Sequence, residues 1–537
     1  MEAQNENIKS LIIDIREKVG KPVSNRVVVA AIESLGIRDI DTRTDYGMPS
    51  IYELADLVYY ELTTSEEHKG AKNVKEREAL ANNPETITTS DYMAVKAKIF
   101  ARYYSQGIFH LFPVLLQILA IIYFGYSLWT FVGFNNVQST AVVLGVVVGL
   151  VSTGGFVQVI GRQASFYWNH ADYVMTKRTV DYLLKIGSLS IFGVLGAIFV
   201  CNLFFHIYPY AFLFIVFTYA LLIGLLVLLL APLHTLDQRW VITVAITSGT
   251  VVAILLKTLT PMLVYFTHWI GISVAVLVAW IFLKVYFKRL LVEKKAKSNL
   301  EVKPALFLYH NYKYFLYGLS IYVFIFVDRM LAWSSDNNGP LPFIIYFEKN
   351  YELGMDFAIL VFLLLAGVLE FAIASFSKFM DIGQKTVSAT DVSKFGKDLY
   401  KMYWQHVGML VFTGLAVFVL VYFMMFASWG YSGQFHETLS DVSVTVCYIG
   451  GLGYLFLGWG MLNSLYLFTL GQPDSPLRAI VLACIVNFGV GFVLSRFVAY
   501  EYSVVGLLVA GIVFMLMTSR AVAKFYKNLD YYYYAAY

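Results

Sequence analysis

Residues 262–333 read "MLVYFTHWIGISVAVLVAWIFLKVYFKRLLVEKKAKSNLEVKPALFLYHNYKYFLYGLSIYVFIFVDRMLAW", and this stretch decides the fold. An apolar run from Met262 to Phe287 is followed by a basic joint holding Lys284, Lys288, Arg289, Lys294, Lys295, Lys297 and Lys303, and then by a second run from Tyr314 to Trp333. Each run has the ~20 apolar residues that cross ~30 Å of hydrocarbon as a helix. A joint this rich in Lys stays on the cytosolic side of a membrane.

The same grammar extends in both directions. Upstream, runs occupy Gly107 to Gly133, Thr140 to Ile160, Leu189 to Tyr208, Ala211 to Leu230 and Val241 to Leu259; downstream they occupy Asp356 to Phe376, Val407 to Ala427, Val442 to Leu470, Leu477 to Phe497 and Tyr502 to Thr518. With the two quoted runs, this gives about twelve spans in two sets of six, an arrangement shared with transporters built from parallel repeats. No residue-level identity links the sets, so the repeat rests on count and linker. The expected fold is an all-α polytopic membrane protein with two six-helix bundles.

Composition agrees, with 58% hydrophobic and only 14% charged residues, against roughly 25% charged in an average soluble domain. Mean hydropathy is +0.65. Net charge is +4, but residues 1–106 carry 14 Lys and Arg against 17 Asp and Glu, leaving 26 against 19 for the remainder. Alternate joints hold Arg162, Lys177, Arg178 and Lys185, then Arg239, then the Lys284 cluster, then Lys378 to Lys401, Arg478, and Arg520 to Lys527. The opposite joints, around Phe134 to Gln138 and His206 to Tyr210, hold none, and those at Asp336 to Asp356 and His436 to Asp441 are acidic. Both termini are therefore expected in the cytosol. Cys201, Cys447 and Cys484 lie singly in apolar runs and read as small buried side chains.

Before the first span, no short apolar signal segment is present. Ile8, Leu11, Ile12, Ile15 and Val19 follow helical spacing, and Ser50 with Glu53 forms a capping box ahead of Leu54, Ala55, Val58 and Leu62. We expect domains at 1–106 (a small cytosolic helical domain with a polar linker from Thr63 to Thr89 and an amphipathic surface piece from Asp91 to Ser105), 107–288 (first bundle), 289–313 (basic linker), 314–520 (second bundle) and 521–537 (a Tyr-rich tail).

Enzymatic chemistry finds no clustered acids, bases or metal ligands at one level, and no GxxxxGK[ST] phosphate loop occurs. Catalytic residues, cofactors, metals and nucleic-acid partners are not expected. Ionisable groups inside spans remain, and each costs about 2.5 kcal/mol or more at mid-bilayer, which marks them as lining water-filled paths or forming interhelical pairs. Asp328 and Arg329 in span seven and Glu370 in span eight are such groups, with Glu370 expected ~10 Å deeper than Asp328; Lys257 is expected to snorkel. Asn487, like Gln117, Gln158, Asn202 and Asn463, is either a helix-to-helix hydrogen-bond partner or a ligand contact. Gly145 and Gly149 read as close-packing positions, as do Gly154, Gly155 and the glycines of 450–460. Trp129, Tyr208, Tyr210, Trp333, Trp404 and Trp429 read as an aromatic belt.

Three stretches add a resemblance. "STGGFVQVIGRQASFYWNHADYVMTKR", "FLYHNYKYFLYGLSIYVFIFVDRMLAW" and "YLFLGWGMLNSLYLFTLGQPDSPLRAIVLACIVNFGVG" resemble the PelG-like exopolysaccharide exporters of the multidrug/oligosaccharidyl-lipid/polysaccharide (MOP) flippase superfamily, over most of residues 107–520. The resemblance matches Asp328, Arg329 and Trp333 to an acidic-basic pair followed by Trp at the end of span seven, with Arg329 where Lys is usual, and Glu370 to a Glu in span eight. It implies two bundles around a central cavity, alternating access, and export of a polysaccharide or lipid-linked glycan across a bacterial inner membrane. It also implies a cytosolic glycosyltransferase and accessory inner-membrane proteins as partners, besides membrane lipids. The N-terminal domain departs from that pattern and is expected to dock a synthase. The expected path or gate residues are Asp328, Arg329, Glu370, Trp333, Arg162 and Asn487. A cation-coupled extruder of small amphipathic molecules and a non-transporting scaffold of a synthase are the competing readings.

Overall fold

A helix does not stop where its apolar run stops, because Lys, Arg and Glu favour the helical backbone and the hydrogen-bond ladder continues into water. That rule shapes the computed structural model, which describes residues 2–19, 25–62, 101, 104, 112–294, 304–335, 344–386 and 392–527. The chain divides into two compact units, residues 1–98 and 99–537.

The first unit contains α1 (Glu2–Val19), α2 (Asn25–Ser34), α3 (Asp41–Asp45) and α4 (51–62). Leu11, Ile15, Val28, Ile32, Leu54 and Val58 form its core. Ser50 caps α4, its Oγ accepting from the Glu53 N–H at 3.3 Å, and Asp39 accepts the neighbouring Ile51 N–H at 2.7 Å. The expected linker from Thr63 to Thr89 and nearly all of the amphipathic piece lie outside the described residues, as do His110, Lys295 to Lys303 and Tyr531 to Tyr534.

The second unit is a helical bundle pair: α5 (Phe112–Phe124), α6 (Asn136–Asn169), α7 (Tyr173–Phe205), α8 (Tyr210–Thr235), α9 (Arg239–Leu259) and α10 (Val264–Glu293), then α11 (Pro304–Trp333), α12 (Lys349–Thr386), α13 (Val392–Phe426), short α14 (Tyr431–Phe435), α15 (Asp441–Thr469), α16 (Asp474–Phe497) and α17 (Ser503–Lys527). Among the described residues, eleven helices are long and apolar enough to cross a membrane.

Several boundaries differ from expectation. Arg162 lies within α6, Lys177, Arg178 and Lys185 within α7, and Lys378, Lys397 and Lys401 within α12 and α13, so residues expected in joints extend the helices instead. The linker expected at 289–313 is shortened from both sides by α10 and α11, and α17 takes up the start of the expected tail. Likewise the acidic residues Glu352 and Asp356 belong to α12 rather than to an outer joint. The first span ends at Phe124, nine residues early. Gly125 turns the chain with φ of 62°, and the Leu128 N–H donates to Gln117 Oε1 at 2.8 Å, so 126–134 folds back as a turn that buries Tyr126, Ser127 and Leu128.

Close packing explains the small residues. A Cβ on Gly149 would stand 2.8 Å from the Ala220 carbonyl oxygen, so α6 and α8 touch backbone to backbone. The two halves meet similarly along α6 and α11, where a Cβ on Gly155 would fall 2.8 Å from the Phe315 carbonyl oxygen. Away from the basic joints, Ala141, Leu144, Phe212 and Val216 of the first half share one core with Tyr317, Phe324 and Tyr454 of the second. That end is sealed by apolar contact.

Candidate functional site

The six expected path residues fall in three places. Asp328 and Arg329 lie near the sealed end of the second half, 0% and 4% exposed. Adjacent helical residues point ~100° apart, so they cannot satisfy each other. Instead α12 supplies both partners: Tyr351 donates its hydroxyl hydrogen to Asp328 Oδ2 at 2.7 Å, and Glu352 accepts from Arg329 Nη1. Asp356, one turn on and 64% exposed, stands 3.7 Å from the same guanidinium. Sequence reading missed Glu352 because it was assigned to a loop. Its signal was the four-residue spacing to Asp356, which puts both carboxylates on one helix face.

Trp333 and Asn487 occupy packing positions in the second place. Trp333 is 1% exposed and packs 5.4 Å from the Phe347 ring, so it belongs to the core and not to the aromatic belt. Asn487 donates to the Phe324 carbonyl at 2.9 Å, tying α16 to α11. Gln117 and Asn463 bond between helices in the same way, whereas Asn202 closes a local turn on Tyr208. Cys201, expected buried, is exposed. Lys257 lies 5.4 Å over the Phe131 ring.

The third place is a cavity of about 1340 Å³ between the halves, reaching the turns at the basic end. Arg162 lines it. From α6 of the first half, its Nη1 donates to Asn311 Oδ1 on α11 at 3.1 Å, and its guanidinium lies 3.8 Å over the Tyr314 ring. Asn311 also donates to the Phe307 carbonyl at 2.9 Å, one turn back, which turns its oxygen toward Arg162. Glu370 stands beside the cavity on α12 and crosses to the first half, 3.7 Å from His234 and 3.5 Å from Arg239. The tight connection from α8 to α9, with Asp237 at φ of 56°, brings these two partners together. Glu370 is 19 residues beyond Tyr351 on α12, so it lies ~28 Å from the Asp328 level along the helix rather than ~10 Å. The shorter figure assumed a helix beginning at Asp356.

Besides Arg162, the cavity wall carries His234 and His310, the amides Gln158, Gln163, Asn169 and Asn311, and the rings of Phe166, Tyr167, Phe307, Tyr314 and Phe468. No carboxylate lines it among the described residues, and no metal-ligating cluster occurs among them.

Solved transporters share this architecture. A crystal structure of a MATE point mutant matches with a TM-score of 0.52 at 14% identity, covering 80% of this chain and 97% of that one. MATE in the straight conformation gives 0.51 at 14% over the same shares, and the inward-facing conformation of a multidrug resistance MATE family transporter of the MOP superfamily gives 0.52 at 14%, covering 79% and 99%. No family model and no curated protein matches the sequence. The chain therefore has the all-helical, multi-span, two-bundle fold seen in these solved MATE transporters.

Proposed function

We propose that this chain moves a polysaccharide or lipid-linked glycan across the bacterial inner membrane by alternating access, with both termini in the cytosol. The lining of the cavity carries the reading. Its volume exceeds the ~300–1000 Å³ of pockets for drug-sized ligands, and amides interleaved with rings match a ligand that has hydroxyls on its edges and C–H groups on its faces. Among the described residues, a cation would meet no carboxylate on that wall. The far end sealed by the shared core and the basic residues gathered where the cavity reaches the turns support reading this as an inward-facing state. Arg162 and Glu370 are the path residues in this reading. Asp328 and Arg329 gate it indirectly by fixing α11 against α12, while Trp333 and Asn487 hold the surrounding packing.

The bonds that join the halves at the cavity are polar and partly solvated, so they separate at little cost when the halves rock. A glycosyltransferase on the cytosolic side, with accessory inner-membrane proteins, would supply the glycan. In cells lacking the gene, loss of surface polysaccharide that wild type restores and Arg162→Ala does not is the expected result. Intact surface polysaccharide with lost drug efflux would overturn it and favour the extrusion of small amphipathic molecules; one of the structural neighbours is a multidrug resistance transporter.

A further inference from the structure

We propose that Arg162 is the receptor for an oxyanion carried by the transported glycan, so that the cargo is acidic. This rests on the glycan reading above and specifies its chemistry. Arginine presents a planar fork of donors suited to carboxylate or phosphate. In most buried settings that fork is consumed by carboxylates of the protein itself, as Glu352 does for Arg329. Arg162 is different.

Among the described residues, its partners are a neutral amide and a ring, and it forms no ion pair. Both are firm: Asn311 and Tyr314 are each 2% exposed, and Asn311 is held by its bond to Phe307. Arg162 itself is exposed to the cavity. A stacked, singly hydrogen-bonded guanidinium keeps its charge and its remaining N–H groups for a ligand.

Neighbouring charges do not compete. Glu370 is engaged by Arg239 and His234, and Lys313, next to Tyr314, pairs with Asp474 at 2.7 Å. The wall therefore has a positive balance, and the amides of Gln158, one turn back on α6, and Gln163 line the same cavity. Two sources share this chemistry, a uronate carboxylate on the sugar and the pyrophosphate of an isoprenyl carrier.

The test uses the full chain in lipid nanodiscs and measures binding by calorimetry of tetragalacturonate, geranyl pyrophosphate and the neutral cellotetraose. Wild type is expected to bind at least one anionic probe, and Arg162→Gln to weaken that binding about tenfold or more; Arg162→Lys recovers part of it, and cellotetraose is unaffected. The anionic probe that is lost identifies the source. Salt titration of wild type gives a second readout, because affinity for the anionic probe falls with ionic strength and that for cellotetraose does not. Anionic binding that is salt-insensitive, or equal in Arg162→Gln, or absent from wild type, overturns the inference. Cellotetraose binding in those cases leaves the glycan reading standing, whereas binding of none of the three probes removes both.

Discussion

Arg329 and Arg162 are the same residue type on neighbouring helices, α11 and α6, with opposite surroundings. Arg329 is 4% exposed and bound to Glu352 in the sealed end, whereas Arg162 faces a cavity from a platform of Tyr314 and Asn311. The difference lies in what remains available. A charge whose donors are matched by protein carboxylates holds helices together, and one matched only by neutral groups can meet a ligand.

The largest effect is expected where the pair is driest. Arg329→Ala leaves Glu352 buried without its counter-charge, so the melt in detergent should show a loss of ~3–5 kcal/mol, and the double variant Arg329→Met, Glu352→Leu should recover most of it. A single variant as stable as wild type would show that the sealed end is wet. The contact between α6 and α11 comes next. Gly155→Leu pushes atoms into the Phe315 ring and backbone, for which a cost of ~1–3 kcal/mol in thermal stability, together with loss of export, is expected. An unchanged melt would mean that α6 and α11 do not touch in the dominant state.

Glu370 provides the contrast to Arg329, because its side chain is 32% exposed and its partners are at 3.5 and 3.7 Å. Glu370→Gln should change stability by no more than ~1 kcal/mol while altering export. Glu370→Arg combined with Arg239→Glu should restore export more fully than either alone, and a double variant no better than the singles would sink the inter-half bridge. The smallest effect belongs to the N-terminal unit. The Arg38 side chain donates to Asp41 at 3.0 and 3.2 Å, which holds the Asp41 carboxyl below its ordinary range. The pair's slight stabilisation is thus present above the ordinary carboxylate midpoint and fades as pH falls through the lowered one. An NMR titration of Asp41 that shows an ordinary midpoint would remove it.

Much of the bundle was legible, because a helix in hydrocarbon must satisfy its backbone internally and so must write itself as a long apolar run. The site was legible in part. Asp328, Arg329 and Glu370 stood out as charges inside apolar runs, but their partners did not: Glu352 was hidden by a boundary set too late, and His234 and Arg239 by the assumption that joints are only connectors. Tyr314 and Asn311 carried no signal beyond one turn's separation, since an aromatic and an amide are ordinary at a helix end.

The sequence by itself determined that the apolar runs are helices, that eleven of them are long enough to cross a membrane among the described residues, and that they fall into two halves, because hydrophobic length is a local property that acts on each segment alone. Only the tertiary structure decided which arginine was neutralised, which tryptophan was core, and that residues from α6, α8, α11 and α12 converge on one cavity. Those outcomes depend on distances between helices far apart in the chain, and a one-turn shift of any helix would exchange the partners.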